Sequence, residues 1–141
     1  MGALGMVANG VAPHLEPEQF RDFAFSELQA APPWRAGLCW RPECQRPFDP
    51  VREWQIYCCA ACAAAGKAEM RKWGHRMALP LLVWRMVKYE QRDAGLIDLR
   101  KVSRRYVTQV QSAWLADRAA RAGGAGRCVS PASPDHRGAD H

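Results

Sequence analysis

Five of the chain's six cysteines fall between Cys39 and Cys62, and no other feature limits the fold so tightly. Cys39 and Cys44 enclose Trp40-Arg41-Pro42-Glu43, where proline sets a turn between two ligands. Cys58, Cys59 and Cys62 form a second cluster ahead of a run of helix formers. Such spacing can bring four thiolates to one tetrahedral centre, so the stretch reads as a structural Zn2+ site. Only one of the adjacent pair Cys58 and Cys59 can easily join Cys62, and spacing alone leaves both choices open. Disulfides are the competing reading, but they need an oxidising compartment. Nothing points to one: the start, Met1 to Gly10, lacks the positive segment of a secretory signal, and no apolar run suggests a membrane span. A reducing cytoplasm is therefore expected.

Catalysis is not expected from this centre. A catalytic zinc keeps three protein ligands and an open position, whereas this cluster offers four or five cysteines. No nucleophile–base arrangement, phosphate-cradling glycine loop or paired-carboxylate motif occurs elsewhere, so neither an enzyme nor a small-molecule substrate is indicated. Between the two cysteine groups, Arg46-Pro47-Phe48 and Trp54-Gln55-Ile56-Tyr57 are short runs separated by Asp49-Pro50 that suit a β-hairpin. The expected fold is a small α+β zinc-binding module of knuckle, hairpin and helix, followed by a helical region, mostly α overall.

The run Tyr57-Cys58-Cys59-Ala60-Ala61-Cys62 resembles the Phe/Tyr-Cys-Ser-x-x-Cys signature of small treble-clef zinc fingers, a YacG-like group with many short bacterial, phage and transposon members. Pro47 to Cys58 is similar to the hairpin of such fingers. The resemblance covers about residues 37–70 and implies a treble clef holding one Zn2+. In that pattern the cysteine after the aromatic residue is a ligand and the next position is serine. It thus implies Cys39, Cys44, Cys58 and Cys62 as ligands, with Cys59 standing where the family has Ser.

Around the module the chain divides into four expected parts. Residues 1–34 form an arm, with a short amphipathic helix carrying Phe20, Phe23, Ala24 and Leu28 and ended by Pro32-Pro33. Residues 35–79 form the finger and its helix, with Gly66, Met70, Trp73 and Met77 as the apolar stripe. Residues 80–122 form a helical extension: Pro80 interrupts the first helix, a second runs from Leu81 to Asp93, and Gly95 ends it. A third helix is capped by Asp98 or Ser103, with Val102, Tyr106, Val110 and Ala113 inward. Residues 123–141, rich in Gly, Ser and Pro and holding Cys128, read as an unstructured tail.

Charge supplies the functional expectation. Four thiolates and one Zn2+ would lower the formal charge of +6 to +4. Residues 1–34 carry one Arg against four carboxylates, whereas Arg35 to Arg121 hold 17 Lys/Arg against 8 Asp/Glu. Arg41, Arg46, Arg52 or Lys67 can offset the thiolate charge through N–H···S contacts, and cations opposite an apolar stripe are the usual solvated surface. Even so, Arg52, Lys67, Arg71, Lys72, Arg76, Arg85 and Lys88 suit contacts to a nucleic-acid backbone, DNA before RNA. Trp40, Trp54 and Trp73 would stack on bases if exposed, although such residues are more often core. The alternative is a protein-interaction adaptor in which Trp73, Trp84, Trp114, Phe20 and Phe23 meet a partner.

Overall fold

The computed structural model describes residues 16–123. Of the tail expected to be unstructured, residues 124–141, Cys128 included, lie outside those residues. The chain divides into two units between Pro33 and Trp34. In the first, two short helices, α1 (Phe20–Phe23) and α2 (Phe25–Ala30), replace the single expected helix. Neither has a side-chain cap, and Ala24 leaves helical geometry between them at φ −105° and ψ 29°. Leu28 is buried, while Phe20 and Phe23 stay exposed.

The second unit is mostly helical, and its first part corrects the expected fold. No strand occurs among the described residues, so the β-hairpin, and the treble clef built on it, are not formed. The pairing that exists is an isolated antiparallel bridge between Leu38 and Pro47. Around it Phe48 N–H donates to Gly37 O at 2.8 Å and Cys39 N–H to Arg46 O at 2.9 Å. Gly37 sits at φ 76°, a conformation that glycine adopts without steric penalty. The ladder cannot lengthen because Pro47 and Pro50 have no N–H to donate. Beyond them the chain turns on itself: Val51 N–H donates to Gln55 Oε1 and Gln55 N–H to Arg52 O. The second run returns only at Ile56, whose carbonyl accepts Trp40 N–H at 2.7 Å.

Two long helices follow, α3 (Ala60–Met86) and α4 (Ala94–Gly123). The first passes straight through Pro80, contrary to the expected break. A proline inside a helix loses one hydrogen bond and costs about 3 kcal/mol, which packing along α4 offsets. Contacts join Glu69 to Arg118 at one end of this pair and Lys88 to Arg100 at the other, so the helices run antiparallel as a hairpin. Residues 87–93 connect them. The expected boundaries there shift: Asp93 is the cap, accepting Leu96 N–H at 3.1 Å, and Gly95 lies inside the first turn of α4 rather than ending a helix.

The buried faces match the apolar stripes in part: Gly66, Trp73 and Val110 are buried as expected, while neighbouring positions replace the other members. In α3 the buried residues are Cys62, Gly66, Glu69 and Trp73, and Met70 is exposed. In α4 they are Ser103, Val107 and Val110, leaving Val102 and Tyr106 nearly half exposed and Ala113 exposed. Gly66 has a specific reason to be glycine: the phenol end of Tyr57 occupies the space a Cβ would need. Gly74, on the same helix, has nothing near its Cβ position. Gly66→Ala should therefore destabilise the fold, while Gly74→Ala should stabilise it by about 1 kcal/mol through helix propensity. Chemical denaturation of the two variants checks the opposite signs; a stabilised Gly66→Ala protein would mean Tyr57 is not seated there.

Candidate metal centre

Local backbone structure brings the cysteines together from three places. Cys39 follows the bridge, anchored by its bond to Arg46 O. Cys44 closes a turn, donating its N–H to Arg41 O at 3.0 Å, and Gln45 exits it in the left-handed region at φ 46°. Cys58 ends the returning segment, and Cys62 lies in the first turn of α3, fully buried. Cys59 is the extended N-cap residue of α3, at φ −155° and ψ 169°.

The sulfur atoms of Cys39, Cys44, Cys58 and Cys62 all lie within 4.8 Å of one another, and this group of four could hold a metal ion. Cys58 rather than Cys59 belongs to it. Cys58 Sγ is 3.7 Å from Cys44 Sγ and 3.7 Å from Cys62 Sγ. Four sulfurs about 2.3 Å from a central ion stand about 3.8 Å apart on the edges of a tetrahedron. A disulfide would require about 2.05 Å, and no disulfide joins these cysteines. The spacing is that of ligands around a centre.

Charge around the sulfurs matches that role. Arg46 Nη2 donates to Cys58 Sγ at 3.5 Å, and Arg41 Nη1 to Cys62 Sγ at 3.9 Å. Arg41 is also held by Glu43 at 2.8 Å; that bond, then the one to Cys62, raises its pKa further above the ordinary guanidinium value. The expected charge-offsetting role thus falls to Arg41 and Arg46, whose guanidinium groups donate to the sulfurs. Burial, reinforced by the neighbouring Cys44 thiol, pushes Cys58 up to about 12. Burial acts the same way on Cys39, but the peptide N–H groups of Cys58 and Arg41 outweigh it and lower its pKa. A divalent cation favours the thiolate form at all four positions.

Behind the cysteines lies a second cluster that sequence reasoning missed. Glu69, 9% exposed, accepts Trp114 Nε1–H at 2.7 Å, Arg118 Nη1 at 2.9 and 3.0 Å and Arg121 Nη2 at 2.5 Å. Arg118 also donates to Trp40 O at 2.7 Å and stacks 4.3 Å over the Trp40 ring. Arg121 reaches Glu43 at 2.6 Å. The cysteine knuckle is thereby fastened to both helices. Trp73 lies parallel to Trp114 with ring centroids 6.0 Å apart. Trp73 takes the inward place its stripe indicates, and Trp114, expected to meet a partner in the adaptor reading, stacks on it instead. One signal could have revealed the cluster: Ser103, Val107, Val110, Trp114, Arg118 and Arg121 keep helical spacing through one face of α4.

The remaining expected residues do not converge. Arg52 lies in the loop before Cys58, Lys67, Arg71, Lys72, Arg76 and Arg85 are exposed on α3, and Lys88 is half-buried just past its end. Lys72 Nζ and the Arg76 guanidinium sit 5.0 and 5.1 Å from the Trp73 ring centre. No described helix is long and apolar enough to cross a membrane. Searches against protein-family models, curated proteins and solved structures return no match.

Two predictions follow from this geometry. The purified chain should bind one metal ion; Cys62→Ser should abolish binding and loosen the start of α3, whereas Cys59→Ser should keep both, as read by elemental analysis and circular dichroism. Retained metal in Cys62→Ser protein would exclude that sulfur as a ligand. Glu69 provides the second. Burial alone would raise its pKa, but the bonds from Trp114 and Arg118 and the charges of Arg118 and Arg121 outweigh it, giving a depressed value. A carboxylate depressed on folding stabilises above its unfolded pKa, and the gain disappears as pH falls through its folded pKa. Glu69→Gln should cost about 3 kcal/mol near neutrality, and its difference from wild type should narrow as pH drops below 4.5, the ordinary carboxylate value. A pH-independent difference in urea unfolding would contradict this.

Proposed function

We propose that the chain is a structural zinc protein that binds the backbone of a nucleic acid, DNA before RNA, along the outer face of α3. Four thiolates leave no open coordination position, so the ion shapes the loop that starts the helix and performs no chemistry itself. A mononuclear all-sulfur tetrahedron suits Zn2+ among divalent ions, and iron is the competitor that elemental analysis distinguishes.

One observation carries the nucleic-acid reading. Helix α3 has five Lys/Arg residues, all exposed, and its single carboxylate, Glu69, is buried against α4. None of Lys67, Arg71, Lys72 and Arg76 has an ion-pair partner among the described residues. A surface helix ordinarily interleaves carboxylates at i,i+4 to its cations; this one places its only acid inside. Lys67 and Arg71 lie one turn apart on one side of α3, about 6 Å along the axis at 1.5 Å per residue, so both can meet phosphates of one strand, whereas Lys72 and Arg76 sit around the helix beside Trp73. Such contacts confer affinity without base preference.

A second reading has its own observation. Leu79 and Met86 of α3 are 67% and 75% exposed, and Val102 and Tyr106 of α4 are 48% and 44% exposed. By helical phase they share one side of the hairpin, a surface suited to a protein partner.

Oligonucleotide binding over a salt series separates the two. Affinity should fall steeply with salt, and Lys67→Gln with Arg71→Gln should lower the slope of log K against log salt by about 2. If neither duplex nor single strands bind at low salt, the nucleic-acid reading is lost and the apolar side becomes the functional surface.

A further inference from the structure

At the far end of the hairpin from the cysteines, Trp84 and Lys88 face Arg100, Lys101 and Arg104 across a recess of about 290 Å3. Four cations and an indole line it, with no carboxylate. Arg100 is held in place: its Nη1 donates to Lys88 O at 2.8 Å and to Glu90 O at 2.9 Å, closing the end of α3. Lys88 Nζ lies 5.0 Å from the Trp84 ring centre and 5.3 Å from that of Tyr89.

The fold gives only some of these charges a reason. Arg100 satisfies carbonyls, and Lys88 complements the negative end of α3. Lys101 and Arg104 do neither. The negative end of their own helix is at Gly123, and they have no ion-pair partner among the described residues. They also add like-charge pairs at i,i+4, Arg100 with Arg104 and Lys101 with Arg105, which disfavour the helix. Two of the acids nearby in sequence are already engaged, and Asp98 of α4 does not line the recess. Glu90 accepts the N–H groups of Arg92 and Asp93 at 2.8 and 3.1 Å, and Asp93 caps α4. Convergent cations around a pocket whose lining holds no carboxylate are a site for an anion.

We propose that this recess binds a phosphate group, either a phosphodiester of the nucleic acid or a free phosphate ester. Its first form rests on the nucleic-acid reading above. Helical phase links the two surfaces: Lys67, Arg71 and Arg85 fall within about 40° of one another around the axis, and Lys88 follows just past the end of α3. A strand following the first two would reach the recess at the last. Trp84 gives the pocket an apolar wall, and Arg100, already oriented by two carbonyls, meets the ligand with little further loss of side-chain freedom.

The test uses the metal-loaded full chain and two probes, inorganic phosphate followed by 31P line broadening and a single-stranded oligonucleotide over a salt series. Lys101→Gln with Arg104→Gln is the recess variant, because both residues are exposed and Gln keeps helix propensity. Circular dichroism confirms its fold. Phosphate should bind wild type and bind the variant at least about tenfold more weakly, and the oligonucleotide salt slope should fall by about 2. If phosphate behaves in this way but no oligonucleotide binds wild type, the recess is a site for free phosphate esters and only the nucleic-acid reading is lost. If phosphate binds neither protein, or both equally, while Lys67→Gln with Arg71→Gln still weakens the oligonucleotide, the recess proposal is overturned and the α3 reading stands.

Discussion

A single carboxylate taken out of water governs how this chain packs. Glu69 would cost several kcal/mol if buried alone, and it is tolerated because Trp114, Arg118 and Arg121 all donate to it. These donors recur at helical spacing on α4, so one register of α4 against α3 satisfies the acid and a slip of one turn would strand it. The same arginines extend past Glu69 to Trp40 and Glu43, between the first two cysteines. The register of the helical hairpin and the seating of the metal loop are therefore set together. Ligands held on rigid elements by a supporting layer of hydrogen bonds keep their geometry better than ligands on a free loop.

That dependence explains which features were legible in the residues. The four cysteines were, because thiolate chemistry and close spacing are local properties, and the group's sulfurs converge. Choosing Cys58 over Cys59 needed a resemblance, since both neighbours could reach Cys62 on spacing alone. The β-hairpin failed for a reason also present in the residues: Pro47 and Pro50 remove donors where a ladder would need them. Two aromatic runs outweighed that signal when they should not have.

The helices were misread differently. Apolar periodicity places Gly66, Trp73 and Val110 inward, as observed, but it also points Met70, Val102 and Tyr106 there, where Glu69, Ser103 and Val107 are buried instead. Periodicity within one helix cannot show that a glutamate has partners 45 to 52 residues away. Pro80 is a similar case. Its local preference to stop a helix is real, but α4 packs against both sides of it, and tertiary contact overrides propensity.

Burying the acids also changes the surface from what composition suggests. Glu43, Glu69 and Asp117 are drawn into the network with Arg41, Arg118 and Arg121, which takes three carboxylates and three cations out of the outer charge balance together. The cations of α3 and of the first half of α4 are left with few exposed acids beside them, more positive locally than a formal +6 over the whole chain implies. At the end of the hairpin far from the cysteines, helical phase sorts the exposed residues: Leu79, Met86, Val102 and Tyr106 on one side, and Trp84, Lys88, Lys101 and Arg104 on the other. These sides are the two flanks of the helical hairpin. With opposite chemistry on those flanks, an anion and an apolar partner could engage the same hairpin without competing, because contacts on one side leave the other accessible.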